Sequence, residues 1–433
     1  MVEYLKQAPR YSAQATEQVR RTVSEMLLRI QREGEDAIRQ YSRELDGWDP
    51  PSFQVDRRDI EAAANALDPE LREHIAFAQD QVRAFARAQR ETLRDLEIET
   101  LPGVTLGHRH IPVRSVGSYV PGGRYPMLAS AFMTVLVPKV AGVEHVLACA
   151  PPQREGGIHP AMLHAMATSG ADTILALGGV QALAAMAFGI EGLEPVDVLV
   201  GAGNAYVAEA KRQLFGEVGI DLLAGPTEIA IIADESAEPE LVAADLLGQA
   251  EHGPTSPAVL ITTSSAFGRA VLDAVDRLLL EWPTRDVAGE AWADHGSVAV
   301  APDLDAAIAL ADEIAPEHLE VQVRDADVQR CHERLRNYGS LFLGEQATVA
   351  YGDKAVGTNH VLPTRGAARY TGGLWVGKFL KTCTYQRLTE EGTRRVAPAV
   401  AAISRAERFE GHALTADMRL DRLHAPPPGR NPS

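Results

Sequence analysis

Apolar and polar positions change texture three times along this chain. Near the start, Val19, Val23, Met26, Leu27 and Ile30 recur at helical spacing, and Gly34 marks a stop. A second amphipathic helix is predicted over about 70–95. From about 112 to 235 the pattern shortens. Apolar runs at 146–150, 173–177, 196–200 and 229–233 are bounded by Gly, Pro or Asp, and 160–168 and 205–215 between them suit helices. Such alternation predicts a parallel sheet with crossover helices. It resumes with a helix near 238–250 and strands at 258–262 and 297–301. Residues 350–373 are rich in Gly, Thr and Asn with little periodicity, and read as a functional loop. The last sixty residues read as helical, with 425–433 a frayed tail. No repeat of fixed period is visible.

Composition narrows the class. At 433 residues the chain has room for about three domains. With 45% hydrophobic and 23% charged residues it is globular in type. A net charge of −17 argues against a nucleic-acid partner. The three cysteines, Cys149, Cys331 and Cys383, form neither a disulfide framework nor a Cys-x-x-Cys metal motif, so a reducing, cytoplasmic setting is expected. No secretion signal and no membrane span is read: the greasy stretch from Val135 to Ala150 is broken by Pro138, Lys139, Glu144 and His145.

Several motifs carry chemistry, each beside a plainer reading. Gly201-Ala-Gly-Asn204 between a strand and a helix could receive a phosphate at the helix N-terminus. It lacks the third glycine of the usual fingerprint, and an ordinary tight turn would look the same. Gly178-Gly-Val-Gln181 and Tyr119-Val-Pro-Gly-Gly123 share that ambiguity. Gln249 and His252, at i and i+3 on one helix, could converge on a metal, although such a pair is more often surface. Glu317-His318 could supply two acid/base groups, or cap a turn. Asp353, His360 and His412 offer further ligands, and Gln249, His252, Asp353 and His412 would make a mixed N/O set of the kind Zn²⁺ accepts. Spacing alone does not bring these four together.

In this order, the motifs resemble the histidinol dehydrogenase family across nearly the whole chain. They continue through Ala224-Gly-Pro-Thr-Glu228, Gln249-Ala-Glu-His-Gly253, Gly357-Thr-Asn-His-Val-Leu-Pro-Thr364 and the Glu407 to His412 ending. The resemblance implies an α/β fold of two Rossmann-like, doubly wound domains with helical N- and C-terminal extensions, paired as a homodimer. The expected division is an extension at 1–26, a first domain of 27–118 plus 227–375 carrying most of the site, an NAD-binding domain at 119–226, and a C-terminal helical domain at 376–433. The implied chemistry oxidises a primary alcohol through an aldehyde to a carboxylate, with two NAD and one Zn²⁺ per subunit. By motif, Gln249, His252, Asp353 and His412 would hold zinc. His318 would be the base and Glu317 would activate water. Tyr119, Gln181 and Asn204 would contact NAD. Thr227, His360 and Glu407 would join the metal ligands and His318 around the substrate.

The chain also departs from the family pattern. Arg124 follows the paired glycines, Lys378 replaces an acidic residue before Phe379, and Thr227 replaces a serine. Exchanging an acid for lysine and adding arginine favours an anionic substrate by Coulomb sign. With Leu45-Asp-Gly-Trp48 and Tyr338-Gly-Ser-Leu-Phe-Leu-Gly-Glu345, these residues look similar to the sulfopropanediol dehydrogenase branch, which oxidises (R)-2,3-dihydroxypropane-1-sulfonate to sulfolactate. Arg365, Arg369 and Lys381 compete with Arg124 and Lys378 for the anion. Two rivals stand beside this reading: a true histidinol dehydrogenase, and a catalytically silent metal- or ligand-binding homologue.

Overall fold

The computed structural model describes residues 2–8, 14–123, 125–153, 156–190 and 192–424. Arg124 and the tail expected at 425–433 lie outside the described residues. Two compact units emerge, one of Met1–Arg90 with Val113–Phe379 and one of Glu91–Pro112 with Leu380–Ser433.

The first unit holds two sheets. One has five parallel strands in the spatial order Thr173–Ala176, His145–Ala150, Ser115–Tyr119, Val198–Val200, Gly219–Ile220. The other runs Glu3–Lys6, Gly296–Val300, Ala258–Thr262, Ile229–Ala233, His318–Gln322, Ser340–Leu343, parallel except for its first strand. Counted along the chain, the parallel strands of both follow the doubly wound order 3-2-1-4-5. Their short Val, Ile, Leu and Ala runs are covered on both faces, which is why they read as continuous rather than alternating apolar segments. The α/β class and its paired Rossmann-like sheets are therefore as expected.

The predicted division of the N-terminal part is corrected by packing. Helices Gln14–Glu33 and Glu35–Tyr41 bury Val23, Met26, Ile30 and Ile38 in one core with Leu147, Leu175, Leu183 and Leu199 of the five-stranded sheet. Phe53 O accepts Ala176 N at 2.8 Å, extending that sheet's edge. Residues 27–60 thus go with 119–226, not with 227–375. The extension at 1–26 is also not wholly helical, because Glu3–Lys6 pairs with Gly296–Val300.

The second unit corrects the reading of the last sixty residues as helical. Leu380–Leu388 is a strand, antiparallel to Val104–Pro112, which also pairs with Leu96–Leu101. Thr382, Thr384 and Tyr385 favour that extended backbone. Helices Glu390–Ala406 and Glu410–His424 follow and pack through Ala397, Ala401, Ala413 and Ala416. Among the described residues no helix is long and apolar enough to cross a membrane.

Candidate active site

A cavity of about 870 Å³ lies within the first unit. Its wall takes Tyr119, Gly122, Pro151, Gly179 and Asn204 from beyond the carboxyl ends of the five-stranded sheet. It takes Thr227, Ser256, Glu317 and His318 from the amino ends of the six-stranded sheet.

The carboxyl-end half is built from backbone. Gly201 has φ +118, and a Cβ there would sit 2.1 Å from Tyr119 O, so only glycine lets the two turns touch. A buried ion pair braces this turn: Asp221 Oδ2 accepts Gly201 N at 2.8 Å, and Lys211, paired to Asp221, donates to Gly201 O at 2.8 Å. Asn204 Oδ1 accepts Tyr206 N and Val207 N at 3.0 and 3.1 Å, capping the helix Ala205–Leu214. Tyr119 OH accepts Gly179 N at 3.2 Å, and burial pushes its phenol up to about 12. Gln181 Nε2 donates to Asp46 Oδ2 at 2.9 Å, while its buried Oε1 has no partner among the described residues. A glycine-lined cradle at a helix N-terminus, with one orphaned amide oxygen, fits a dinucleotide.

The amino-end half is built from side chains. Glu317 is buried, and its Oε2 accepts Thr227 Oγ1 at 2.5 Å and Glu228 N at 2.9 Å, which leaves Oε1 for a ligand. Burial raises its pKa to about 7 against the pull of His318 and Thr227. His318 Nδ1 donates to Glu228 O at 3.1 Å. That tautomer leaves Nε2, buried and without a hydrogen bond, 3.5 Å from Asp353 Oδ1. Burial opposes the imidazolium, but the charges of Glu317 and Asp353 outweigh it and raise His318 to about 9. Burial of Asp353 works the other way from its surroundings; His318 and His360 hold the carboxyl far below its usual range.

Two predicted metal ligands, His252 and Asp353, line the cavity beside this pair, and a third, Gln249, is buried with its amide nitrogen 3.3 Å from His318 Nδ1. His252 Nδ1 donates to Gln249 O at 3.2 Å, which turns Nε2 towards Asp353 Oδ2, 4.0 Å away. Burial lowers the His252 pKa, keeping the neutral ring a metal needs. Gln249 spends its amide nitrogen on Thr227 at 2.5 Å, leaving the oxygen as a donor. No three His, Cys, Asp or Glu side chains gather at ligand distance among the described residues. The set here is one imidazole, one carboxylate and one amide, a borderline N/O mixture that fits Zn²⁺ as three ligands of four. His360 lines the same wall: its Nδ1 donates to Asp353 O at 2.9 Å and its Nε2 accepts Ser130 Oγ at 2.8 Å.

Other predicted residues lie elsewhere. His412 and Glu407 belong to the second unit and are exposed there, His412 with its ring 5.5 Å from that of Phe409. Lys378 is not on the cavity wall; its Nζ donates to Thr371 Oγ1 at 3.2 Å. Lys381 falls in the second unit. Of the competing cations, Arg365 does line the cavity, lying across Gly225, where a Cβ would meet its Nε at 2.6 Å. Sequence reasoning missed Glu228, whose Oε1 accepts Arg365 N at 2.9 Å, and the part played by Ser130. Neither has a spacing signal, since each acts through a partner over a hundred residues away.

The family model described as Histidinol dehydrogenase matches residues 10–420. The chain is 51% identical to "Histidinol dehydrogenase homolog" of Shouchella clausii, over 98% of this chain and 99% of that one. It is 48% identical to "Sulfopropanediol 3-dehydrogenase" of Ruegeria pomeroyi, over 97% and 96%. Among solved structures, the histidinol dehydrogenase of Elizabethkingia anophelis is similar at a TM-score of 0.90 and 33% identity, covering 97% of this chain and 95% of that one.

Proposed function

The chain belongs to the histidinol dehydrogenase family, oxidoreductases acting on CH–OH donors, and from that premise we propose that it is a zinc- and NAD-dependent dehydrogenase. It takes a small primary alcohol through an aldehyde to a carboxylate. The observation that carries the reading is one cavity with a nucleotide-type cradle at one end and His318, Glu317, His252 and Asp353 at the other. When bound, Zn²⁺ orients the alcohol and acidifies its hydroxyl, and NAD accepts hydride in each of two oxidations.

The side chains divide the proton work. His318 Nε2, freed by the Nδ1 bond to Glu228 O, takes the hydroxyl proton in the first oxidation once its ring is neutral, a form that the charges of Glu317 and Asp353 push to alkaline pH. Glu317 Oε1 takes a proton from water as it adds to the aldehyde. The former carbonyl oxygen takes back the proton held on His318 as the gem-diol forms, and His318 then takes a proton from that gem-diol for the second oxidation. Thr227 fixes both Glu317 and Gln249. His412 as fourth ligand, Glu407 at the substrate, the homodimer and the cytoplasmic setting belong to the same proposal.

For the substrate we favour (R)-2,3-dihydroxypropane-1-sulfonate. Identity to the relative named for sulfopropanediol is 48%, against 41% to the histidinol dehydrogenase of Rhizobium meliloti. Arg365 on the wall supports an anionic group, since a guanidinium matches a sulfonate with two parallel N–H donors. Steady-state NADH production with this sulfonate and with L-histidinol, at neutral and alkaline pH, tests it. Turnover of the sulfonate with two NADH per alcohol is expected, with Arg365→Ala raising its KM about tenfold and Lys378→Ala leaving it within about twofold. Turnover of histidinol alone would establish the second reading, which the retained metal and acid/base residues favour.

A further inference from the structure

In a doubly wound nucleotide sheet, the adenosine ribose is held by an acidic residue at the end of the second strand. The second strand of the five-stranded sheet is His145–Ala150, and the next residues, Pro151, Pro152 and Gln153, carry no carboxylate. The chain fills this place from elsewhere. A Cβ on Gly178, the residue opening the next glycine turn, would meet Pro151 Cβ at 2.8 Å and Asp46 Oδ2 at 3.5 Å. Asp46 therefore stands in space where the strand end lacks an acid.

Its position is fixed. Asp46 ends the π-helical turn Ser42–Asp46, and Ser42 Oγ donates to Trp48 O at 2.7 Å across that turn. Asp46 lines the cavity beside Gly179 and Gln181. Oδ2 takes the Gln181 amide at 2.9 Å, and Oδ1 has no hydrogen bond among the described residues. The buried Gln181 Oε1 is a second acceptor without a partner. Two acceptors side by side ask for a ligand with adjacent donors, and a ribose diol supplies them.

We infer that Asp46, donated by the N-terminal segment, receives the adenosine ribose hydroxyls of the dinucleotide and selects NAD over NADP. The inference rests on the dinucleotide reading of the cavity given above. A 2′-phosphate would bring like charge against the Asp46 carboxylate and remove the hydroxyl it accepts from.

The test is calorimetric binding of ADP-ribose and of 2′-phospho-ADP-ribose to the full chain and its variants, with NAD and NADP turnover measured beside it. Wild type is expected to bind ADP-ribose at least about tenfold more tightly than its phosphorylated form. Asp46→Asn keeps the acceptor for Gln181 and loses only the charge. It is expected to weaken ADP-ribose about tenfold and abolish the discrimination between the two ligands. Asp46→Glu, which keeps the charge, should retain the preference. A folded Asp46→Asn protein that discriminates like wild type overturns the inference. Equal weakening of both ligands would also overturn it, since Asp46 would then only position Gln181. If wild type binds neither ligand and reduces neither NAD nor NADP, the dinucleotide reading itself fails and takes this inference with it.

Discussion

The two sheets of the first unit share a strand order yet turn opposite ends to the cavity. At the carboxyl ends of the five-stranded sheet, strands run into helix N-termini, and the wall is glycine turns and a capped helix start. Exposed N–H groups and the positive end of the helix dipole suit phosphates. At the amino ends of the six-stranded sheet, helices arrive by their C-termini. Pro239–Ala250 ends at Gln249 and His252, and Leu304–Ile314 ends before Glu317 and His318. The negative dipole end suits a cation, and Glu228 N is already spent on Glu317, so that half does its chemistry with side chains. One topology used in both polarities thus separates cofactor holding from proton transfer.

Breaking the side-chain half should have the largest effect. His318→Ala is expected to lower kcat about 10³-fold while zinc content and the KM for NAD stay near wild type. Elemental analysis and steady-state kinetics check this, and unchanged turnover would end the assignment of His318 as base. Gly201→Ala attacks the backbone half. Its Cβ would meet Tyr119 O at 2.1 Å in a left-handed conformation, so the turn must open. The expected result is a Tm lowered by several degrees and a KM for NAD raised about tenfold or more, with zinc retained. A Gly201→Ala enzyme that loses zinc but keeps its NAD affinity would contradict the division into two halves.

What was legible in the sequence follows the same division. The strands at 146–150 and 229–233 were readable because both faces are buried and the runs are bounded by Gly, Pro or Asp. Glycine turns were readable because their backbone demands a residue type. Edge strands were not: Glu3–Lys6 and Leu380–Leu388 keep mostly exposed, polar positions, and the pairing that makes them strands is nearly 300 residues away. The grouping of residues 27–60 with 227–375 came from the resemblance, and the amphipathic stripe beside it states that a face is buried, not against what. Asp46 carried no signal as a nucleotide residue, for the strand end it serves lies a hundred residues later.

The smallest effect probes how the two kinds of support meet inside the six-stranded sheet. The strand that begins at His318 carries Glu320, fully buried, and its Oε1 accepts Val349 N at 2.9 Å, at the start of the helix bearing Asp353. Gln322 Nε2 bridges Glu320 to Asp245 with two bonds of 2.9 Å. Burial, then the charge of Asp245, raises the Glu320 pKa from 4.5 to about 8. An acid that binds its proton more tightly when folded contributes stability that is full below its unfolded pKa and lost as pH rises through the folded one. Wild-type Tm should therefore decline between about pH 5 and 8 from this group, and Glu320→Gln, neutral throughout, should flatten the decline. Calorimetric melting of both proteins across that range checks it. A Glu320→Gln profile parallel to wild type would mean that Glu320 is ionised in the folded chain, and that the strand carrying the base holds the Asp353 helix through a charge rather than a neutral hydrogen bond.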